Sequence, residues 1–325
     1  MSELLAVLHN ELMKMFKRRQ TLIMSLFLVL LILLVVLFIP RPDIAPKSNW
    51  EQGVQEELNS LQQKEMFENL SDVNRSAYER QLTMLSTQLE KRVPPLSAQP
   101  FWGYIQNLMN SFNMWVIVFM MIALVTNVAD EFSRGTIKLL LIRTPSRSVI
   151  LFSKYVAGIV YFFFMYGIAL VTMFVMTGFI HGYIDWGGQE VLMMGNQAVV
   201  WPAMVSVFYR MVWDLLGVLP LITFAFMLAS LFRSSAVAIG ISIFLIFVGR
   251  ALVLFLYYSD KPSLKAIAPL LPFAHGDLMH YFTNPVVYIF DNIGSSLTEA
   301  LTVNIVYTVV FYAVAWLWFV KRDVI

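Results

Sequence analysis

The stretch TLIMSLFLVLLILLVVLFI, Thr21 to Ile39, runs nineteen residues without a charge. An apolar run of roughly 18 residues or more has the length to cross a hydrocarbon core of about 30 Å as a helix. Proline follows at Pro40 and Pro42 instead of a small-residue cleavage site, so the run reads as a retained span and not a signal peptide. Five further stretches share its character: Ile105–Val128, Leu151–Ile180, Met211–Phe232, Ser235–Tyr257 and Val303–Val320. They are continuously apolar and do not alternate with period two, which selects helices over a barrel. The third is long enough to tilt or to extend past the bilayer.

Composition agrees. Of 325 residues, 58% are hydrophobic and 14% charged, against about 25% charged in soluble domains. Mean hydropathy is +0.69. There is no cysteine, which excludes disulfides, thiolate metal sites and cysteine nucleophiles. The expected fold is an all-α polytopic membrane protein with six transmembrane helices.

Lysine and arginine set the expected orientation. Lys14, Lys17, Arg18 and Arg19 precede span one. Arg134, Lys138, Arg143 and Arg147 separate spans two and three, with Lys154 just inside span three. Arg233 separates spans four and five, and Lys321 and Arg322 follow span six. All fall on one side of a six-span chain, whereas the short loop His181–Tyr209 on the other side has no positive charge. The long loop Pro40–Tyr104 carries seven Lys/Arg, but loops beyond about 60 residues largely escape the charge rule. The positive-inside rule makes the basic side cytoplasmic, so both termini are expected there, in a multi-pass plasma-membrane protein with a short tail at 321–325.

The segments between spans carry their own patterns. Residues 1–20 place Leu4, Leu5, Leu8, Leu12, Met15 and Phe16 on one face, reading as an amphipathic interfacial helix or as an extension of span one. In 40–104, Val54, Leu58 and Leu61, then Tyr78, Leu82, Leu85 and Leu89, mark two helices with an apolar seam. Together they predict an extracellular helical hairpin turning at Asn69–Asp72. Ser76 and Glu79 read as a capping box for the second helix. Residues 181–210 read as an extracellular loop. Residues 258–302, with Pro262, Pro269, Pro272 and Pro285, read as an extracellular or re-entrant segment.

The loop 129–150 is the most informative. It runs Asp130-Glu131-Phe132-Ser133-Arg134-Gly135-Thr136-Ile137-Lys138-Leu139-Leu140-Leu141-Ile142-Arg143-Thr144-Pro145-Ser146-Arg147. A topological linker needs no apolar surface, yet Ile137 and Leu139–Ile142 supply one, and such a surface wants a partner. This stretch, with Lys154-Tyr155 and the closing Phe319-Val320-Lys321-Arg322-Asp323-Val324, resembles membrane subunits of the ABC-2 type permease family of bacterial ABC exporters. The layout of interfacial helix, six spans and large first extracellular loop is also similar. The resemblance implies a coupling helix that docks on a separate cytoplasmic ATPase through Glu131, Arg134, Gly135, Thr136, Lys138 and Arg143. It further implies two ATPase copies, a second permease subunit (identical or different), and ATP with Mg on the partner only.

The residues themselves are compatible with that division of labour. No G-x-x-x-x-G-K-[ST] stretch is present to cradle phosphates, so the chain is expected to hold no cofactor and to catalyse nothing. Acidic midplane residues of the kind ion-driven transporters use are nearly absent. The apolar spans favour an amphipathic or hydrophobic substrate moved outward: a peptide, an antibiotic or a lipid-linked molecule. Membrane lipids are expected partners and nucleic acid is not. The alternative reading is a membrane sensor or regulatory scaffold whose extracellular hairpin binds a ligand without transport. An intramembrane enzyme lacks its catalytic cluster.

Two intramembrane ionisable residues stand out. Asp214 near the outer end of span four and Arg250 in span five lie at similar depth, and are expected to pair as a gate, a substrate contact or a structural ion pair, the alternative being that they snorkel to the outer interface. An unpaired arginine near a helix centre costs at least about 2.5 kcal/mol. His275, Asp277 and His280 have poor spacing for one helical face, and no metal site is expected.

Overall fold

A computed structural model describes residues 2–38, 49–67, 72–133, 145–232, 234–285 and 295–321. Six of its helices are long and apolar enough to cross a membrane, and the chain is an all-α polytopic membrane protein. Helix α1 is Ser2–Lys17, followed by α2 (Arg19–Phe38), α3 (Trp50–Phe67), α4 (Asp72–Lys91), α5 (Pro100–Ser133) and α6 (Arg147–His181). Strands β1 (Gln189–Met194) and β2 (Gln197–Pro202) come next, then α7 (Ala203–Leu231) and α8 (Ser235–Tyr257). The short α9 (Pro262–Lys265) and α10 (His280–Thr283) bracket two single 3₁₀ turns, and α11 (Leu297–Lys321) closes the chain. The spans are α2, α5, α6, α7, α8 and α11.

Local chemistry sets several of the ends. Ser146 caps α6 by accepting the Val149 N–H at 3.3 Å, and Ser234 caps α8 through Val237 at 3.4 Å. A reciprocal capping box opens α11: the Ser296 N–H donates to Glu299 Oε2 at 2.7 Å and the Glu299 N–H to Ser296 Oγ at 3.2 Å. The box expected at Ser76 and Glu79 is not a helix start, because α4 already begins at Asp72. The expected turn at Asn69–Asp72 lies mostly outside the described residues.

α5 is the hub. It packs on α6, α7, α8 and α2, while α11 lies along α7. Leu124, Val125, Tyr161, Phe162, Ile222 and Phe226 are fully buried in the shared core. α2, α8 and α11 show the opposite pattern: Leu26, Phe244 and Val309 are each about 60% exposed or more. In a lipid solvent those outward apolar faces carry no desolvation cost.

α1 is a helix of its own. The chain bends at Arg18, where the Thr21 hydroxyl donates to the Met15 carbonyl at 2.5 Å. Before the bend, Leu8, Leu12, Met15 and Phe16 pack into the core, and α1 lies against α6. The basic ends of the spans gather here: Arg147 Nη1 donates to the Val320 carbonyl at 3.0 Å, joining the start of α6 to the end of α11.

At the other end of the bundle, α3 and α4 form a hairpin closed by Val54, Leu61, Tyr78 and Leu85, with Leu58, Leu82 and Leu89 alongside. The span between α6 and α7 is not a plain loop, because it forms an antiparallel ribbon in which Met194 faces Gln197. Gly195 takes φ 62° at the first turn position, as a type II′ hairpin turn demands. The pleat sorts the ribbon's faces: Val191 and Met193 pack with Met84 of α4, whereas Leu192 packs with Leu278, Met279 and Phe282.

Candidate functional site

Two polar sites occupy opposite ends of this apolar bundle. The first lies where α1, the end of α5 and the start of α6 meet. Glu11 stands within the apolar stripe of α1, three residues after Leu8 and four before Met15, so the packing that buries the stripe buries the carboxylate too. Its side chain is 1% exposed. Lys154, two turns into α6 beyond its cap, is 0% exposed.

The geometry is that of a closed charge square. Lys154 Nζ lies 2.7 Å from Glu11 Oε2, 2.7 Å from Glu131 Oε2 and 3.3 Å from the Asn127 carbonyl. Lys14 Nζ, at the more exposed corner, lies 2.8 Å from Glu11 Oε1 and 3.1 Å from Glu131 Oε1. Asn127 Nδ2 donates to Glu11 Oε2 at 3.3 Å, and Arg18 approaches Asp130 at 3.8 Å. Two cations and two anions alternate, so the cluster is neutral although buried, which is the condition for keeping charge out of water. Burial alone pushes the Glu11 carboxyl up; the charge of Lys154 and the hydrogen bonds from Lys14 and Lys154 outweigh it and hold the carboxyl below its ordinary 4.5. Burial pulls the Lys14 ammonium down; the hydrogen bond to Glu11 and the charge of Glu131 more than reverse this and raise it above 10.5.

This site changes the role of one expected residue. The ABC-2 resemblance places Glu131 among the docking contacts, whereas its carboxylate turns inward onto Lys14 and Lys154. It thereby anchors the root of the loop that follows. Arg134, Gly135, Thr136, Lys138 and Arg143 lie outside the described residues. Sequence reasoning singled out neither Glu11 nor Asn127, and the available signal was an acid in the middle of an apolar helical stripe.

The second site is a cleft of about 450 Å³ at the ribbon end, walled by α5, α7, α8 and the 272–284 segment. Two glycines let that segment in. A Cβ at Gly217 of α7 would overlap the Gly276 carbonyl, and one at Gly249 of α8 would overlap the Phe273 ring. Asn304 of α11 also donates to the His275 carbonyl at 3.1 Å. The segment is thus pinned between three spans.

Asp214 and Arg250 both line this cleft, as their depth predicted, but they do not pair. Asp214, 4% exposed, accepts the Tyr166 hydroxyl at 2.8 Å. The cation acting on it is Arg210, one turn earlier in α7, which also acts on the buried Glu190 of β1. A direct hydrogen bond within the bundle satisfies the acid without moving a second long side chain across the cleft. His275 and His280 each spend a ring nitrogen on a backbone carbonyl, of Pro269 (2.7 Å) and Asp277 respectively. Burial pulls the His280 imidazole down to about 4 despite the nearby Asp277 charge.

A family model described as "Protein of unknown function (DUF2705)" matches residues 82–325. The chain is also similar to an uncharacterized protein, YhcI, of Bacillus subtilis (strain 168), with 28% identity over 341 residues covering 99% of each chain. No solved structure matches.

Proposed function

The chain belongs to the DUF2705 family of unknown function, and we propose that it is the membrane-spanning permease subunit of an ATP-binding-cassette exporter. The observation that carries this reading is the charge square at the root of the 134–144 loop. A loop that only connected two spans would need no rigid mounting. Here the helix preceding the loop and the helix following it are tied to each other and to α1 through Glu11, Glu131, Lys14 and Lys154. A force applied to the loop would pass through those contacts into three helices at once.

In this reading the basic end of the bundle faces the cytoplasm of a cell whose plasma membrane the chain spans, and both termini lie there. A separate ATPase, in two copies, docks on the loop through Arg134, Gly135, Thr136, Lys138 and Arg143 and its apolar run. ATP and Mg stay on that ATPase. Two permease subunits, identical or different, enclose the path of an amphipathic or hydrophobic substrate. The outward apolar faces of α2, α8 and α11 leave room for a second subunit as well as for lipid.

The test is co-expression with the P-loop ATPase encoded nearest the chain's gene, affinity purification, and ATPase assay in proteoliposomes. The expected outcome is a stoichiometric complex whose hydrolysis rate depends on the permease. Lys138→Glu should abolish association while leaving the permease folded. An intact complex that moves no amphiphile would favour the sensor or scaffold reading; absence of any complex would overturn the proposal.

A further inference from the structure

The permease reading makes no use of the ribbon-end cleft. We propose that this cleft binds the phosphate headgroup of an anionic amphiphile, with Arg250 as its ion partner. The inference stands independently of any ATPase.

Arg250 is the reason. It lies seven residues before the end of α8, about 10 Å along the helix axis, on the cleft wall, with an exposed side chain. Among the described residues it has no hydrogen-bond or ion-pair partner. The acids that share the cleft are otherwise engaged: Asp214 takes the Tyr166 hydroxyl and feels Arg210, while Asp277 Oδ1 takes the Met279 N–H at 3.1 Å. Arg210 itself reaches only a long 3.4 Å contact with Asn110. The cleft therefore offers one uncommitted guanidinium, that of Arg250, with side-chain amides beside it. An arginine fork matches a phosphate or carboxylate edge with two parallel hydrogen bonds.

The surroundings add the tail. One turn from Arg250 on α8, Phe247 is 61% exposed, an apolar ring against which an acyl chain would lie. A volume of about 450 Å³ is in the range of small-ligand pockets. A phosphate on an apolar tail satisfies both halves of the site at once.

Native mass spectrometry of the detergent-solubilised full chain would test this, titrating phosphatidylglycerol against phosphatidylcholine, with inorganic phosphate as competitor. Phosphatidylglycerol should be retained and phosphatidylcholine should not. Arg250→Gln should weaken retention by at least about tenfold, Arg250→Lys by much less, and Lys265→Gln, in α9 away from the cleft, not at all. Displacement by millimolar phosphate would identify the headgroup as the bound moiety; resistance to it would show that the tail is required. Equal retention of both lipids, or unchanged affinity in a folded Arg250→Gln, would overturn the proposal and leave Arg250 an interfacial anchor. If Arg250→Gln does not fold, Arg250→Lys and the parent decide: equal retention of phosphatidylglycerol and phosphatidylcholine by both overturns the proposal.

Discussion

At the scale of single residues, Lys154 is the most consequential side chain in the molecule. It is fully buried against Glu11 and Glu131, and removing one partner of a buried network strands the others. Lys154→Met should cost about 3–5 kcal/mol of stability, read as a lowered midpoint of thermal unfolding in detergent. Lys154→Met combined with Glu11→Leu leaves the Lys14–Glu131 pair intact and removes the stranded acid, so it should recover much of that loss. Acid should attack the same cluster. Because the folded carboxyl of Glu11 sits below its ordinary 4.5, its contribution is present above that pH and is lost as pH falls through the folded value. The melting midpoint of the parent should therefore fall faster below pH 4.5 than that of Glu11→Gln.

At the scale of elements, the 272–284 segment is held by absent side chains. Gly217→Val or Gly249→Val places atoms where the Gly276 carbonyl or the Phe273 ring already sits, and the segment must withdraw. Faster amide hydrogen exchange over residues 272–284, with exchange in α5 and α6 unchanged, is the expected signature. The same segment should respond to pH. His280 is depressed from 6.5 to about 4 by burial, so the folded state disfavours its protonation. Stability of the segment should decline as pH falls from about 6.5 to about 4, and His280→Gln should flatten that decline. These elements were unequally visible in the sequence. The α3–α4 seam emerged residue for residue, because helical spacing of apolar positions is a local property. The ribbon did not: two six-residue strands with a Gly195 turn leave a short signal beside 29- and 35-residue helices, and their burial comes from α4 and α10, which are distant in sequence.

At the scale of the whole molecule, the absence of cysteine makes orientation directly measurable. Single cysteines replacing Ser146 or Lys321 should react with a membrane-impermeant maleimide only after the cell is opened. One replacing the exposed Glu56 of α3 should react on intact cells. The reverse pattern would invert the proposed topology.

The sequence by itself determined the solvent for which this protein is built, the number of spans and which end carries positive charge in its short loops, since each follows from counting residues against the thickness and electrostatics of a bilayer. It also marked Asp214 and Arg250 as anomalies. Only the tertiary structure decided their partners. It gave Asp214 to Tyr166, left Arg250 facing a cleft, and joined Glu11, Lys14, Glu131 and Lys154, which are spread over more than 140 residues of chain. The physical reason is the same in each case. The cost of burying a charge is read from the residue alone, whereas its relief depends on which opposite charge or hydroxyl packing brings within 3 Å, and that depends on how the helices are arranged around α5.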